Sequence, residues 1–426
     1  MTAQRAAAWE RLGGGRFDLL VIGAGIIGSR IAYEAAAAGL SVALVDAGDF
    51  GGATSSGSTK LIHGGFRYLP MGDLGLVWES QRERASLMAR IAPRLVRRTP
   101  MVLAAYRGGP TRPGLAGAGV LAYGALCGFR GTGVGLTGAR GAQRLIPSLN
   151  TDGLTVCGLF DEGQTNDARL VLATVAAGVD WGVAAINHAQ VTGLDFARNG
   201  RAMASIKGRP AEGSIQVAFT HVVNAAGASV DSLRRLEDPI AEPMARLSKG
   251  IHLLMDAPPG WQAGLAVPVE DGRVAMAIPW QGMLMLGTTD TEYLGEPGGC
   301  AVSEVDIAQV LAEASVALPR DLIRASAVRF SFAGLRVLPI GDGSTATAHR
   351  EHMVRVGSRG MVSIAGGKLT THRRIALDVL NRIADARLAR HGGRNAEFGR
   401  IDEALLDVSG AELAGDQVRQ GDGNAR

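Results

Sequence analysis

An α/β fold, in which a discontinuous nucleotide-type domain is interrupted by an antiparallel β-rich insertion, is predicted by three observations. A glycine-bounded apolar run at residues 17–22 leads through an Ala-rich segment to a second apolar run at 41–46. Short alternating segments fill residues 247–289. Strand and helix signals return at 353–386. Mixed signals at both ends with β-rich pieces between them are the pattern of a nucleotide domain split by an insertion.

Size and composition agree with this. The 426 residues allow two or three units of roughly 150 residues each. With 46% hydrophobic and 20% charged residues, the chain is globular rather than disordered. Glycine is abundant, 60 of 426, but without the three-residue period of collagen. A formal charge of +4, with neither zinc-finger spacing nor a basic tail, gives no reason to expect nucleic acid. Cys127, Cys157 and Cys300 are far apart and form no CxxC pair. A disulfide framework, a structural zinc site and a four-cysteine cluster are therefore not expected, and no metal is assigned. The first 16 residues carry Trp9, Glu10 and Arg11 and lack the apolar core of a signal peptide. No run approaches the ~18 apolar residues of a spanning helix. The expected address is cytoplasmic, with a peripheral membrane contact left open.

In chain order, residues 13–15 form a glycine tether. The run at 17–22 suits a buried parallel strand. Residues 27–38 read as a helix ended by Gly39, and 41–46 as the next strand, together one βαβ unit. Residues 73–98 show a helical pattern carrying Arg82, Arg84, Arg90, Arg94, Arg97 and Arg98, interrupted by Pro93. The Gly-rich stretch 107–141 reads as loops between short strands, in preference to a lid. Residues 167–177 are helical, 183–219 a β-meander, and 222–227 a strand entering a turn and helix. Strands are expected at 251–255, 274–278, 283–286, 353–356 and 361–364, and helices at 305–318 and 369–386.

Gly23-Ala24-Gly25-Ile26-Ile27-Gly28 is a GxGxxG placed between a strand and a helix. The first glycine permits the tight turn, the second lets the backbone approach a pyrophosphate, and the third lets the helix pack on its strand. Asp46 ends the next strand, where a carboxylate accepts from a ribose hydroxyl. The motif alone does not separate NAD from FAD. The second feature is a hydroxyl-rich run with Ser55, Ser56, Ser58 and Thr59, then Lys60, His63, Arg67 and Tyr68. On chemistry alone it is as well read as a solvated loop.

This run and the GxGxxG resemble those of the FAD-dependent glycerol-3-phosphate dehydrogenases, members of the D-amino-acid-oxidase-like flavoprotein superfamily. Further matching motifs follow in order at 166–170, 223–227, 249–252, 278–280, 287–293, 334–336 and 366–371. The resemblance implies a Rossmann-like domain holding extended FAD. Gly23, Gly25 and Gly28 would face its pyrophosphate, Asp46 the adenosine ribose and Val191 the adenine. Ser55, Ser56 and Gly227 would also contact it, and Gly366, Gly367, Leu369 and Thr370 would meet the flavin ring. Arg67, Tyr68, Arg336 and Lys368 would surround the substrate, with Arg336 also in the catalytic set. His63 and His252 are both candidates for the base. The implied reaction is oxidation of sn-glycerol 3-phosphate to dihydroxyacetone phosphate by hydride transfer to flavin N5, with electrons passed to a quinone or another acceptor. An enzyme of another polyol phosphate, a 2-hydroxy acid or an amine, and a flavin-binding module without turnover, are the alternatives.

The resemblance implies a FAD-binding domain at 14–100, 145–242 and 325–390 and a substrate domain at 101–144 and 243–324. Residues 391–426 are expected to form a polar tail in place of the family's C-terminal helical region. His372 stands where such runs usually carry Tyr, Phe66 where they carry an aliphatic residue, and Pro70 where they carry an acidic one.

Overall fold

The computed structural model describes residues 3–66, 73–111, 113–126, 133–196, 202–341 and 352–391. Two sheets organise them. The first is built on β1 (Arg16–Ile22), which runs parallel to β2 (Val42–Val45) on one side and β10 (Ser214–Asn224) on the other. β7 (Ala184–Ile186) extends it beyond β2, and β18 (Val362–Ala365) beyond β10, both in parallel. β17 (Met353–Val356) closes the edge antiparallel to β18. The meander β8 (Gln190–Phe196) and β9 (Ala202–Lys207) joins the first half of β10.

Alternation along β1 divides the core. Leu19 and Val21 pack under α2 (Ile26–Ala37), α6 (Asp167–Asp180) and α9 (His372–His391). Leu20 and Ile22 join the opposite core with the meander, α1 (Ala3–Gly14) and α7 (Val230–Glu237). Both faces are covered, which is why β1 reads as an apolar run rather than an alternating one. Each such buried side chain contributes about 1.5–3 kcal/mol relative to exposure.

The second sheet is mostly antiparallel. Its order is β15 (Thr291–Tyr293), β11 (Ala245–Asp256), β14 (Met283–Gly287), β13 (Val274–Trp280), β12 (Gly264–Pro268), β4 (Val96–Tyr106), β6 (Leu154–Thr165) and β3 (Leu61–Ile62). β16 (Val328–Pro339) pairs with β11, and β5 (Gly135–Thr137) with β6. One face packs on α5 (Ala139–Leu145) and α8 (Glu304–Ala314). The other carries Met101, Leu103 and Phe160 toward α3 (Leu74–Ser86) and α4 (Pro113–Leu126).

Four expectations are corrected. The glycine tether is the end of α1, anchored by fully buried Leu12. The helix expected over 73–98 is α3 followed by a π turn at Leu87–Ile91, and Arg97 and Arg98 lie in β4, where pairing with β6 overrides local propensity. The stretch 107–141 is not loop throughout. It holds α4, whose Ala116, Val120 and Tyr123 are buried against β6, and burial compensates the helix-weakening glycines. Both β6 and β16 pair in the antiparallel sheet. The helix expected from residue 369 begins at His372. The tail at 392–426, Arg67 and Tyr68 lie outside the described residues.

Candidate functional site

A cavity of about 880 Å³ runs between the two sheets. At one end the β1–α2 turn forms its wall. Gly23 has φ +100, and a Cβ there would lie 2.5 Å from the Ala225 carbonyl oxygen. A Cβ on Gly28 would lie 1.9 Å from the Gly23 carbonyl oxygen. Gly28 is thus the packing glycine and does not line the cavity, whereas Gly23 and Gly25 do. Ser55 Oγ accepts from the Ile26 amide at 2.9 Å. The other first-turn amides have no intrahelical acceptor, so this end of α2 suits a pyrophosphate. Asp46 Oδ2 accepts from Ala24 N at 2.6 Å and Oδ1 from Gly48 N at 2.8 Å. Burial raises the Asp46 carboxyl, against the lowering by those two amides. Its remaining lone pairs can still accept from a hydroxyl. Val191 and Gly227 also border the cavity.

Ser56 and Thr370 are placed otherwise. Ser56 Oγ donates to the Ala53 carbonyl at 3.2 Å. Buried Thr370 donates through Oγ1 to the His63 carbonyl at 3.1 Å, tying the loop after β18 to the segment after β3. Neither lines the cavity, while Gly366, Gly367, Lys368, Leu369 and half-buried His63 do. Gly366 and Gly367 have φ +81 and +92, conformations open to glycine. A Cβ on Gly367 would meet Ile375 Cδ1 at 2.6 Å, so this loop packs closely on α9.

The opposite wall carries Arg336 and His252. Arg336 Nη2 donates to Thr288 Oγ1 at 2.8 Å and Nη1 to Ser248 Oγ at 3.4 Å, with Asp290 Oδ1 at 3.8 Å. Gly250 lies opposite, and a Cβ there would meet the guanidinium at 2.4 Å. His252 is 2% exposed. Its ring stacks on Phe332 with centroids 4.8 Å apart, and its Nε2 lies 3.0 Å from Thr59 Oγ1. Burial, with Arg336 and Lys60 beside it, pushes the imidazole down to about 3. It is therefore neutral at pH 7. Lys368 is 8% exposed and lines the cavity beside Gly366 and Gly367.

Sequence reasoning missed Glu162. It is buried on the cavity wall, accepting from Arg84 Nη1 at 2.6 Å, Gly64 N at 2.8 Å and Tyr123 Oη at 3.0 Å. Burial raises its carboxyl despite Arg84. The available signal was an acidic pair, Asp161-Glu162, directly after the apolar run 156–160. Lys60, Asp167 and Thr288 were quoted only as parts of motifs. Among the described residues no group of His, Cys, Asp or Glu is placed to hold a metal ion.

His372 is also fully buried and pushed down to about 3, chiefly by burial and then by Arg30. A base whose folded pKa is depressed costs stability as pH falls below its unfolded value. Each of His252 and His372 should remove about 1.4 kcal/mol per pH unit below ~6.5, down to the folded value. Thermal melts from pH 7 to pH 5 should show a falling midpoint, and His372→Phe should flatten the fall. A midpoint unchanged across this range would exclude two neutral buried histidines.

Comparisons with known proteins follow this geometry. A family model described as FAD dependent oxidoreductase (DAO) matches residues 18–373. Glycerol-3-phosphate dehydrogenase 2 of Mycobacterium tuberculosis is 34% identical over 383 residues, covering 89% of this chain and 65% of the relative. The chain thus spans just under two thirds of the mycobacterial relatives' length. The aerobic glycerol-3-phosphate dehydrogenase of Bacillus subtilis is 31% identical over 403 residues, covering 94% of this chain and 72% of its own. Among solved structures, the glycerol-3-phosphate dehydrogenase from Bacillus halodurans complexed with FAD superposes with a TM-score of 0.73 at 28% identity, covering 90% of this chain and 67% of that one. L-alpha-glycerophosphate oxidase from Mycoplasma pneumoniae, at 16% identity and TM-score 0.69, shares the fold.

Proposed function

This chain belongs to the FAD dependent oxidoreductase (DAO) family, and we propose that within it the protein oxidises sn-glycerol 3-phosphate to dihydroxyacetone phosphate. The observation that carries the reading is one cavity joining a dinucleotide cradle at Gly23, Gly25 and Asp46 to a cationic end with Arg336, Lys368 and a neutral imidazole. The positive-φ glycines at 366 and 367 and the open first turn of α2 fit FAD. Bound there, the flavin supplies the two-electron acceptor for the hydrogen on C2.

The chain's own residues do the rest. A phosphomonoester carries close to two negative charges near neutrality. Arg336 and Lys368 offer a guanidinium fork and an ammonium to it. Thr288 and Ser248 hold the fork in place, so its orientation is set before substrate arrives. His252 takes the hydroxyl proton as C2–H departs with its electron pair and the C–O bond becomes a carbonyl. His63, on the same cavity, is the second candidate. Anaerobic titration of the FAD-loaded protein tests the reading. Glycerol 3-phosphate should bleach the flavin band, and glycerol, lactate and simple amines should do so far more weakly. Bleaching by an amine or a 2-hydroxy acid instead would replace the substrate. No bleaching by any of them would favour a binding module.

A quinone as the final acceptor, and a peripheral membrane contact, are part of the same proposal. Met101, Leu103, Phe160 and Met276 give the cavity an apolar wall suited to a planar apolar acceptor. Leu74, Trp78, Leu115 and Leu121 are exposed on α3 and α4, and Arg82 lies 4.5 Å from the Trp78 ring centroid. Among the described residues no helix is long and apolar enough to cross a membrane. The expected arginine-rich face is narrower than the sequence suggests, because Arg84 is buried on Glu162 and Arg98 pairs with Asp161. Binding to anionic vesicles is expected in low salt and reduced by Trp78→Ser, since aromatic and basic side chains favour the interface. Absence of sedimentation at any salt would remove the membrane contact.

A further inference from the structure

Lys60 is used by no step above, yet it is tightly held between Thr59 and Leu61, which line the cavity. Its backbone has φ +61, a conformation side-chain-bearing residues rarely adopt. Its side chain is buried, with 7% of the residue exposed. Nζ donates to Asp167 Oδ1 at 2.8 Å, to Oδ2 at 2.9 Å and to the Ser56 carbonyl at 2.5 Å. Its amide donates to Ser58 Oγ at 3.0 Å, and Ser58 Oγ donates to Asp167 Oδ2 at 2.6 Å. Its carbonyl accepts from Thr165 N at 2.9 Å. A residue held off its preferred conformation by this many partners points to a geometry the surroundings require.

That geometry concerns His252. Thr59, the preceding residue, puts its hydroxyl 3.0 Å from His252 Nε2. The Lys60 ammonium lies 5.1 Å from the centroid of the Phe332 ring, on which the imidazole stacks. Thr59 thus meets the imidazole directly, and Lys60 lies by the ring on which it stacks. We propose that Lys60, pinned by Asp167, is a positioning residue that aims the Thr59 hydroxyl at His252 and so fixes the rotamer and tautomer of the imidazole. This deepens the functional reading above and rests on it.

The tautomer follows from which nitrogen has a partner. Nδ1 is buried without a hydrogen-bond partner. A buried N–H without an acceptor is rarer than an unused lone pair. The proton is therefore assigned to Nε2, which donates to Thr59 Oγ1 and leaves Nδ1 unprotonated. The charged groups near the ring are Arg336 from β16 and Lys60, with Asp290 and Asp167 behind those cations. Both cations oppose protonation of the resting imidazole. Removing Lys60 should thus move the titration of His252 upward.

The test rests on two variants of the full FAD-loaded chain, with Thr59→Ser and His252→Gln as controls. Thr59→Val removes the hydroxyl without touching the ion pair. Lys60→Met combined with Asp167→Asn removes the cation without stranding a buried carboxylate. Thr59→Val should keep FAD and its melting midpoint, lower kcat for glycerol 3-phosphate about tenfold, and change KM less, because positioning acts on the proton-transfer step. Thr59→Ser should restore kcat. Imidazole 15N signals, assigned to His252 by their loss in His252→Gln, give a readout independent of turnover. The wild type should show protonation at Nε2, Thr59→Val a mixed or reversed tautomer, and the double variant a titration shifted upward. Unchanged imidazole signals in both variants, with only the melting midpoint altered, would make Lys60 a structural ion pair and overturn the proposal. If glycerol 3-phosphate fails to reduce the wild-type flavin, the substrate reading falls, and the imidazole signals still decide the role of Lys60.

Discussion

Arg336→Leu is expected to lower kcat/KM for glycerol 3-phosphate about ten- to a hundredfold while FAD stays bound, since a hydrogen bond to a charged group is worth about 1.5–3 kcal/mol. The guanidinium stands on β16 opposite Gly250, with room there only because position 250 lacks a side chain. Leucine removes the fork and releases Thr288 and Ser248 from their bonds. It leaves the cradle at Gly23 to Gly28, at the far end of the cavity, untouched. Lys368→Met should cost a similar factor. The double variant should lose less than the product of the two, because both cations hold one anion. The decisive measurement is the ratio of kcat/KM for glycerol 3-phosphate to that for glycerol. The wild type should strongly prefer the ester, and each variant should narrow the gap. An unchanged ratio in both would mean that these residues do not read a phosphate.

Gly28→Ala should yield a protein with little bound flavin and a markedly lower melting temperature. The added methyl would stand 1.9 Å from the Gly23 carbonyl oxygen and 3.2 Å from Ala225 Cβ. Both neighbours are fixed: Gly23 N donates to the Val45 carbonyl, and Ala225 N to the Ile22 carbonyl. α2 must therefore lift off β1 and β10. Such overpacking costs about 1–3 kcal/mol, and the displaced turn no longer meets a pyrophosphate, so the stabilisation a bound cofactor provides is lost as well. Gly138→Ala is the control, since a Cβ there meets nothing within 4 Å. Equal visible absorbance and equal melting of the two variants would refute the packing role of Gly28.

The nucleotide half of the fold was legible because its signals are local. The turn from β1 into α2, its three glycines and Asp46 all lie within one βαβ unit, and each glycine's role follows from a short-range clash or turn. The antiparallel half was legible only in part. β11, β13 and β14 were expected, but β6 and β16 were not read as strands, and α4 was read as loop. Strand partners such as Arg98 with Gly163, or His252 with Phe332, are set by long-range pairing that no local period encodes. The helix at 113–126 carries four glycines among its Ala and Leu residues, and burial against β6 offsets them.

For the site, the sequence by itself determined which chemistry was available: glycines to admit a cofactor, a carboxylate at a strand end, and scattered Arg, Lys and His residues. Only the tertiary structure decided how those groups behave. Lys60 meets Asp167 from 107 positions away, and Thr59 meets His252 from 193 away. Glu162 gathers Arg84, Tyr123 and Gly64 from three separate segments. The physical reason is that the proton affinity of a buried group depends on its loss of water and on the charges within a few ångströms. Both are properties of the assembled cavity, so a neutral His252 beside two cations exists only once β11, β16 and the loop at Lys60 have come together.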